Sequence, residues 1–293
     1  MKFGYVGVGL MGLPMTARLI ACGHGIRAFD ISPIRMEQAA QAGAELARSA
    51  ADATRGVDAV LLNLPTDDAV EAAVFGPSGV ASALTASQRL VDFSTIQVGS
   101  GSRFATELVR LTGVMWLDAP VSGGPVACER GSLTVMAGGE AADVAALAPL
   151  WRAIASRFSH MGSTGAGLAA KMINQLIVGC GNAVLAEACA LAVSAGIDPR
   201  QIPECLAGGH ADSELLRQIF PRMASRDFAP RGYARQLLKD LEAVSTYSGS
   251  LKSPAPMTSQ ALSLYRMLVR GGFAELDTSA IVRLYDKHPP EET

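Results

Sequence analysis

Three side chains on one stretch could carry out proton chemistry together. In Gly165-Ala-Gly-Leu-Ala-Ala-Lys171-Met-Ile-Asn174-Gln175, both Asn174 and Gln175 follow Lys171 at helical spacing. Residues three and four positions apart are neighbours on a helix surface. A lysine and two amides on an otherwise apolar helix are costly to bury without polar partners. A buried lysine whose pKa is lowered can give or take a proton at a reacting oxygen, and the amides can orient what it acts on. The competing reading is a solvent-facing polar stripe, since lysine is usually exposed.

The elements that would position such a group begin at the N-terminus. Lys2–Val6 reads as a short buried strand, Gly7-Val-Gly9-Leu10-Met11-Gly12 follows at once, and 13–22 has helical periodicity ended by Gly23. In a strand–turn–helix of this kind the first glycine permits a tight turn. The second lets the backbone approach a pyrophosphate, and the third lets helix and strand pack closely. The phosphates would meet the unpaired N–H groups of the helix start. A second strand, 26–30, ends in Asp30, 18 residues after Gly12, where a carboxylate binding the adenosine ribose is expected. Asp30 favours NAD by repelling a 2′-phosphate, while the nearby Ser32 and Arg35 keep NADP open. The alternative is a glycine-rich turn that binds nothing, because 30 glycines make chance matches common.

Strands then alternate with helices. Residues 58–63, 89–93, 114–118 and 133–136 read as strands, and 34–41, 67–75, 99–111 and 141–155 as helices. This alternation argues for a mostly parallel, doubly wound sheet. Ligands bind such sheets beyond the carboxyl ends of the strands, which is where Leu64-Pro65 and Ser94-Thr95 fall; each is equally readable as a strand-stopping turn. Asp118-Ala-Pro-Val-Ser122-Gly123-Gly124-Pro125 also leaves a strand end. Its successive N–H groups and the Ser122 hydroxyl could cradle a carboxylate, or the pair of glycines could be a turn alone. Gly138-Gly139 reads as a turn only.

The glycine cluster 162–167 marks the expected domain boundary, giving an α/β domain over 1–162 and an all-helical domain over 163–293. Helices are expected at 168–195, 200–207, 214–223, 234–248, 257–271 and 278–287. The first is rich in Gly and Ala, which suits a central helix buried on several sides. Glu187 reads as a polar contact, and Lys239-Asp240 as a charged pair on a solvated face. Of 293 residues, 49% are apolar and 18% charged, so the chain can bury a large core. A formal net charge of −2 without basic runs gives no footprint for nucleic acid. No signal-peptide layout is present, and no apolar run lasts long enough without Gly, Pro or polar interruption to span a membrane. Five scattered cysteines without a Cys-x-x-Cys pair fit reduced thiols in a cytosol. Four histidines, His288 the last, lie too far apart to suggest metal ligands.

Together these motifs resemble the β-hydroxyacid dehydrogenase family over almost the whole chain. Gly7-Val-Gly-Leu-Met-Gly12-Leu-Pro-Met resembles its cofactor signature. Asp118 to Gly124, with Gly131-Ser-Leu-Thr-Val-Met, resembles its substrate signature, and Gly165-x-Gly-x-x-x-Lys171-x-x-Asn174 its catalytic signature. The resemblance implies a Rossmann domain followed by an all-α domain, joined by a long interdomain helix. It implies an NAD(P)-dependent oxidoreductase with Lys171 catalytic, and with Ser122, Gly123, Gly124, Asn174 and Gln175 binding a small carboxylate substrate. Gly7, Gly9, Leu10, Met11, Gly12, Asp30, Leu64, Pro65, Thr95 and Lys239 would hold the cofactor, its nicotinamide toward a cleft between the domains. Many relatives have Asn where this chain has Gln175. The Asn-Gln pair and Leu238-Lys-Asp-Leu241 resemble the branch that reduces tartronate semialdehyde (2-hydroxy-3-oxopropionate) to glycerate. Oxidation of 3-hydroxyisobutyrate, another small-acid or imine reduction, and a non-catalytic nucleotide-binding scaffold are the alternatives. A cytoplasmic homodimer or homotetramer is expected.

Overall fold

The structure is a computed structural model that describes residues 1–286. Lys287, the expected end of the last helix, and His288 lie outside the described residues. By internal packing the chain divides into two compact units, Met1–Lys171 and the part from Met172 onward.

The first unit is built on nine strands: β1 (Lys2–Val6), β2 (Gly25–Phe29), β3 (Glu45–Leu46), β4 (Ala59–Leu62), β5 (Arg89–Asp92), β6 (Trp116–Asp118), β7 (Val121–Ser122), β8 (Leu133–Gly138) and β9 (Ala155–Gly162). Their order is β3-β2-β1-β4-β5-β6-β8-β7, with β9 on β8. From β3 to β6 every pairing is parallel, whereas β8 runs antiparallel to β6 and β7. Helices cover both faces, and the strands are apolar on both. In β4, Ala59 and Leu61 enter one core layer, Val60 and Leu62 the other. This is why its sequence is a continuous apolar run instead of an alternating one.

Local chemistry sets the helix starts. Ser32 and Thr66 accept hydrogen bonds from Arg35 N and Ala69 N at the starts of Pro33–Gln41 and Asp67–Phe75. The expected helix 141–155 is instead two, Ala141–Ala146 and Ala148–Ile154. Pro149 lacks the N–H needed to continue the first, but is well placed in the first turn of the second. Strand β9, which the sequence did not signal, follows directly.

The second unit is helical among the described residues apart from one bridge, Tyr233 to Asp277. Ala183, Ala186 and Cys189 of the long helix Ala166–Ser194 pack there with Phe220, Leu241 and Tyr265. Gly179 and Gly181 do not interrupt this helix. A Cβ on either would lie 2.6 Å from Leu241 Cδ2 or 2.5 Å from Leu215 Cδ2, so close packing offsets their poor helix propensity. By length and composition only, this helix is long and apolar enough to cross a membrane, but Gly179, Gly181 and the polar Lys171, Asn174, Gln175 and Glu187 interrupt its apolar run. The expected burial on several sides is incomplete, since Ile173, Ile177, Val184 and Leu191 are each more than half exposed. Gly179 and Gly181, two positions apart, admit Leu241 and Leu215 from different directions, and the exposed stripe is the part of the surface left uncovered.

Candidate active site

The carboxyl ends of the central strands are level. Val6 pairs with Phe29 and Leu62, Leu62 with Asp92, and Asp92 with Asp118. The loops bearing Gly7, Asp30, Leu64 and Thr95 therefore leave one edge of the sheet, and there the chain passes from β6 to β7, which ends at Ser122. The strand order reverses direction between β1 and β4, the position at which such sheets bind ligands.

At the end of β1 the glycines have separable reasons. Gly7 has φ +94°, and a Cβ there would lie 2.3 Å from Asn63 O. A Cβ on Gly12 would lie 2.0 Å from Gly7 O, so helix and loop can pack only if it is absent. At Gly9 a Cβ would meet nothing within 4 Å. No protein neighbour requires glycine there, so the space above Gly9 fits the approach of a pyrophosphate. The helix Gly12–Ala21 begins at Met11 with no side-chain cap; Leu13 N donates to Gly9 O at 3.0 Å and Pro14 has no N–H, so an anion here would be met by the backbone ahead of Leu13. Leu10 is half-buried beside it. Asp30 braces this loop, accepting from Val8 N at 2.9 Å and from Ser32 N at 2.8 Å. It still has lone pairs for a ribose hydroxyl. Leu64 N donates to the buried Ser94 hydroxyl at 2.9 Å, tying the ends of β4 and β5 together; Pro65 is exposed and Thr95 half-buried.

The second cluster is assembled by Asp118. Its buried carboxylate accepts from Gly165 N at 2.6 Å and Leu168 N at 2.7 Å, fixing the first turn of the helix Ala166–Ser194 against the end of β6. Burial pushes the Asp118 carboxyl above its ordinary value, and the N–H groups of Gly165 and Leu168 pull it back down. The approach is close enough that a Cβ on Gly167 would lie 2.6 Å from Asp118 O, and one on Gly138 2.7 Å from Asp118 Oδ1. Gly138, read as a turn, is thus the last residue of β8 and is needed for close approach. Lys171 follows on this helix. It is 7% exposed, and its Nζ donates to Val121 O at 2.8 Å. Lys171 is therefore held one residue from Ser122, where Gly123 and Gly124 adopt φ +122° and +71°.

Asn174, Gln175 and Lys239 lie in the second unit. Asn174 Nδ2 donates to Gln175 Oε1 at 2.7 Å, and Gln175 Nε2 donates to Asp240 Oδ2 at 2.6 Å. Lys239 Nζ lies 3.2 Å from Asp240 Oδ1. The solvated charged pair expected at 239–240 is corrected, because Asp240 is only 7% exposed. The signal was present: Asp240 falls three positions after Leu237, in the apolar stripe that also holds Ala234, Leu241 and Val244. Glu187 is a polar contact, accepting from the Tyr285 hydroxyl at 3.3 Å. Cys128 is not a nucleophile at neutral pH, since burial pushes its thiol up to about 12. A surface depression of about 450 Å³ bordered by Trp151, Phe158 and His160 contains none of the candidate residues.

Comparison with known proteins identifies the family. Residues 2–162 match the family model described as the NAD binding domain of 6-phosphogluconate dehydrogenase. Residues 165–285 match the model described as "NAD-binding of NADP-dependent 3-hydroxyisobutyrate dehydrogenase". The chain is 33% identical to an NAD-dependent L-serine dehydrogenase of Pseudomonas aeruginosa, covering 97% of this chain and 98% of the relative. It is 32% identical to the 2-hydroxy-3-oxopropionate reductase of Escherichia coli K12, covering 97% and 96%. A crystal structure of 3-hydroxyisobutyrate dehydrogenase from Salmonella typhimurium superposes with a TM-score of 0.88 at 30% identity, over 97% of this chain and 99% of that one. With a glycine cradle suited to a dinucleotide and relatives matched over nearly their full length, the chain belongs to the β-hydroxyacid dehydrogenase family and is an NAD(P)-dependent oxidoreductase.

Proposed function

We propose that this enzyme interconverts tartronate semialdehyde and glycerate, with Lys171 as the group that protonates the alkoxide in reduction and receives the hydroxyl proton in oxidation. The observation that carries this reading is the buried Lys171, tied through Val121 O to the short strand β7 that ends at Ser122. An ammonium in a site of low exposure stabilises a developing alkoxide far better than one in water. The bound NAD(P) supplies or accepts the hydride. Ser122, Gly123 and Gly124 offer donors to the substrate carboxylate. Asn174, one turn after Lys171 on the same helix, orients the substrate, and Gln175 orients Asn174. Gly7, Gly9, Leu10, Met11, Gly12, Asp30, Leu64, Pro65, Thr95 and Lys239 are assigned to the cofactor, with NAD favoured over NADP because Asp30 opposes a 2′-phosphate.

The substrate assignment draws on Asn174-Gln175 and on the likeness to the Escherichia coli reductase. Steady-state rates with tartronate semialdehyde, methylmalonate semialdehyde, L-serine and a cyclic imine, each with NAD(H) and NADP(H), test it. Preference for any of the other three replaces the substrate but keeps the chemistry. Lys171→Ala should lower kcat by about 10²–10⁴-fold while NADH still binds; near-wild-type turnover would remove Lys171 from the reaction. We also assign the exposed stripe Ile173, Ile177, Val184 and Leu191 to contact with a second copy in a cytoplasmic homodimer or homotetramer. Ile177→Lys with Leu191→Lys should yield monomers in light scattering, and an unchanged mass would refute that contact.

A further inference from the structure

Asp240 is a buried carboxylate that the proposed reaction does not use directly. It ends a chain of side-chain hydrogen bonds, Asn174 to Gln175 at 2.7 Å and Gln175 to Asp240 at 2.6 Å. Both Gln175 and Asp240 are less than one-tenth exposed, and Asn174 is half-buried. A primary amide is ambiguous, since it can present either its oxygen or its NH2 to a neighbour. An ionised carboxylate is not ambiguous, because it can only accept. The Lys239 ammonium lies 3.2 Å from Asp240 Oδ1.

We infer that Asp240 is a positioning residue that sets the direction of this chain, so that Asn174 meets the substrate as a hydrogen-bond acceptor. The logic runs outward from the carboxylate. Gln175 must turn its NH2 toward Asp240, which turns its oxygen toward Asn174. Asn174 must then spend one of its two N–H bonds on that oxygen, and its carbonyl, which no member of the chain uses, is the acceptor for a donor beyond. The donor class that fits is a hydroxyl or an ammonium. The substrate is thereby selected for a hydroxyl in its alcohol form, and an ether oxygen in the same place is rejected. A glutamine is long enough to bridge from the helix backbone at 175 to Asp240 while still reaching Asn174. The Gln in place of a second Asn is thus part of the device.

The inference rests on the proposed reaction, and the experiment separates the two. Glycerate oxidation and tartronate semialdehyde reduction are measured for wild type, Lys171→Ala, Asp240→Asn, Asp240→Glu, Gln175→Leu and the Asp240→Asn/Gln175→Leu double variant, each with its melting temperature. Asp240→Asn is isosteric but can donate, so the chain can reverse. The expected kcat/KM for glycerate is about tenfold lower, a larger loss than any change in KM for NADH that arises through the neighbouring Lys239. Asp240→Glu, which can only accept, should recover part of the loss. Gln175→Leu should cost a similar factor, and adding Asp240→Asn to it should cost less than twofold more, because the relay is already cut. Glycerate should bind the NADH-free enzyme more tightly than its 3-methyl ether, and Asp240→Asn should narrow that ratio. Unchanged kcat/KM in Asp240→Asn, multiplicative losses in the double variant, or an unaltered glycerate-to-ether ratio would each overturn the relay. Full activity in Lys171→Ala, or no turnover of either substrate by wild type, would instead overturn the proposed reaction; the binding ratio still tests the relay.

Discussion

Alanine at each glycine of the first loop should separate what the protein requires from what the cofactor requires. At Gly9 the added methyl meets no protein atom within 4 Å, and φ there is not positive. Gly9→Ala should therefore keep stability within about 0.5 kcal/mol of wild type. If the pyrophosphate lies against that backbone, the methyl overpacks the contact by about 1–3 kcal/mol. That is about 5- to 150-fold in the Kd for NADH. At Gly12 the methyl would lie 2.0 Å from Gly7 O and 3.0 Å from Gly7 C. A backbone carbonyl cannot rotate away as a flexible side chain can, so Gly12→Ala should lower stability by about 1–3 kcal/mol or more. For a unit of this size each kcal/mol is roughly 2–4 °C in Tm. Gly7→Ala combines a similar clash, 2.3 Å from Asn63 O, with φ +94°, and should also melt early. The assay is paired calorimetry without nucleotide and fluorescence titration with NADH. A stable Gly9→Ala that binds NADH as wild type does would refute the placement of the pyrophosphate. A Gly9→Ala that melts with the other two would refute the separation itself.

Other outcomes follow from single contacts. Asp118→Asn keeps the shape but can accept only one of the N–H bonds from Gly165 and Leu168. It should cost about 1.5–3 kcal/mol, read by chemical denaturation, and should lower kcat because the first turn bearing Lys171 loosens. An unaffected midpoint would show that Asp118 does not hold that turn. In the second unit Arg222 lies 2.7 Å from Asp277, which is 1% exposed, and also bonds Asp227 and Ala229 O. Arg222→Met should destabilise by about 3–5 kcal/mol by leaving a buried charge unpaired, and recovery of that loss in Arg222→Met/Asp277→Leu would support this cause. The Arg222 guanidinium, with the Ala229 N–H, holds the Asp227 carboxyl below its ordinary value. Its contribution is complete above the unfolded-chain value and fades as pH falls through the lower folded value. Asp227→Asn should therefore flatten the acid side of the stability curve, and an identical curve would exclude the pair.

Local pattern alone determined much of this protein. Glycine spacing after a buried strand located the tight loop at the end of β1, because only glycine tolerates the backbone angle at Gly7 and the contact at Gly12. Apolar runs separated by helical periods gave the parallel sheet, since strands covered on both faces carry no alternation. The motifs around Asp118 and Lys171 were also legible, but not their relation. Nothing in the order of residues says that Asp118 caps the helix start at Gly165 and Leu168, or that Lys171 reaches back to Val121. Those contacts join positions about 50 residues apart in sequence, and the close approach at Gly138 and Gly167 makes them possible. The charge at Asp240 was misread for a similar reason. Composition makes a carboxylate beside a lysine look solvated; the apolar stripe Ala234, Leu237, Leu241 and Val244 marks that face of the helix as inner, but only the packing supplies Gln175 as the partner that makes a buried carboxylate there tolerable. Strand β9 and the exposed side of the long helix belong to the same class, because burial depends on what the rest of the chain places alongside.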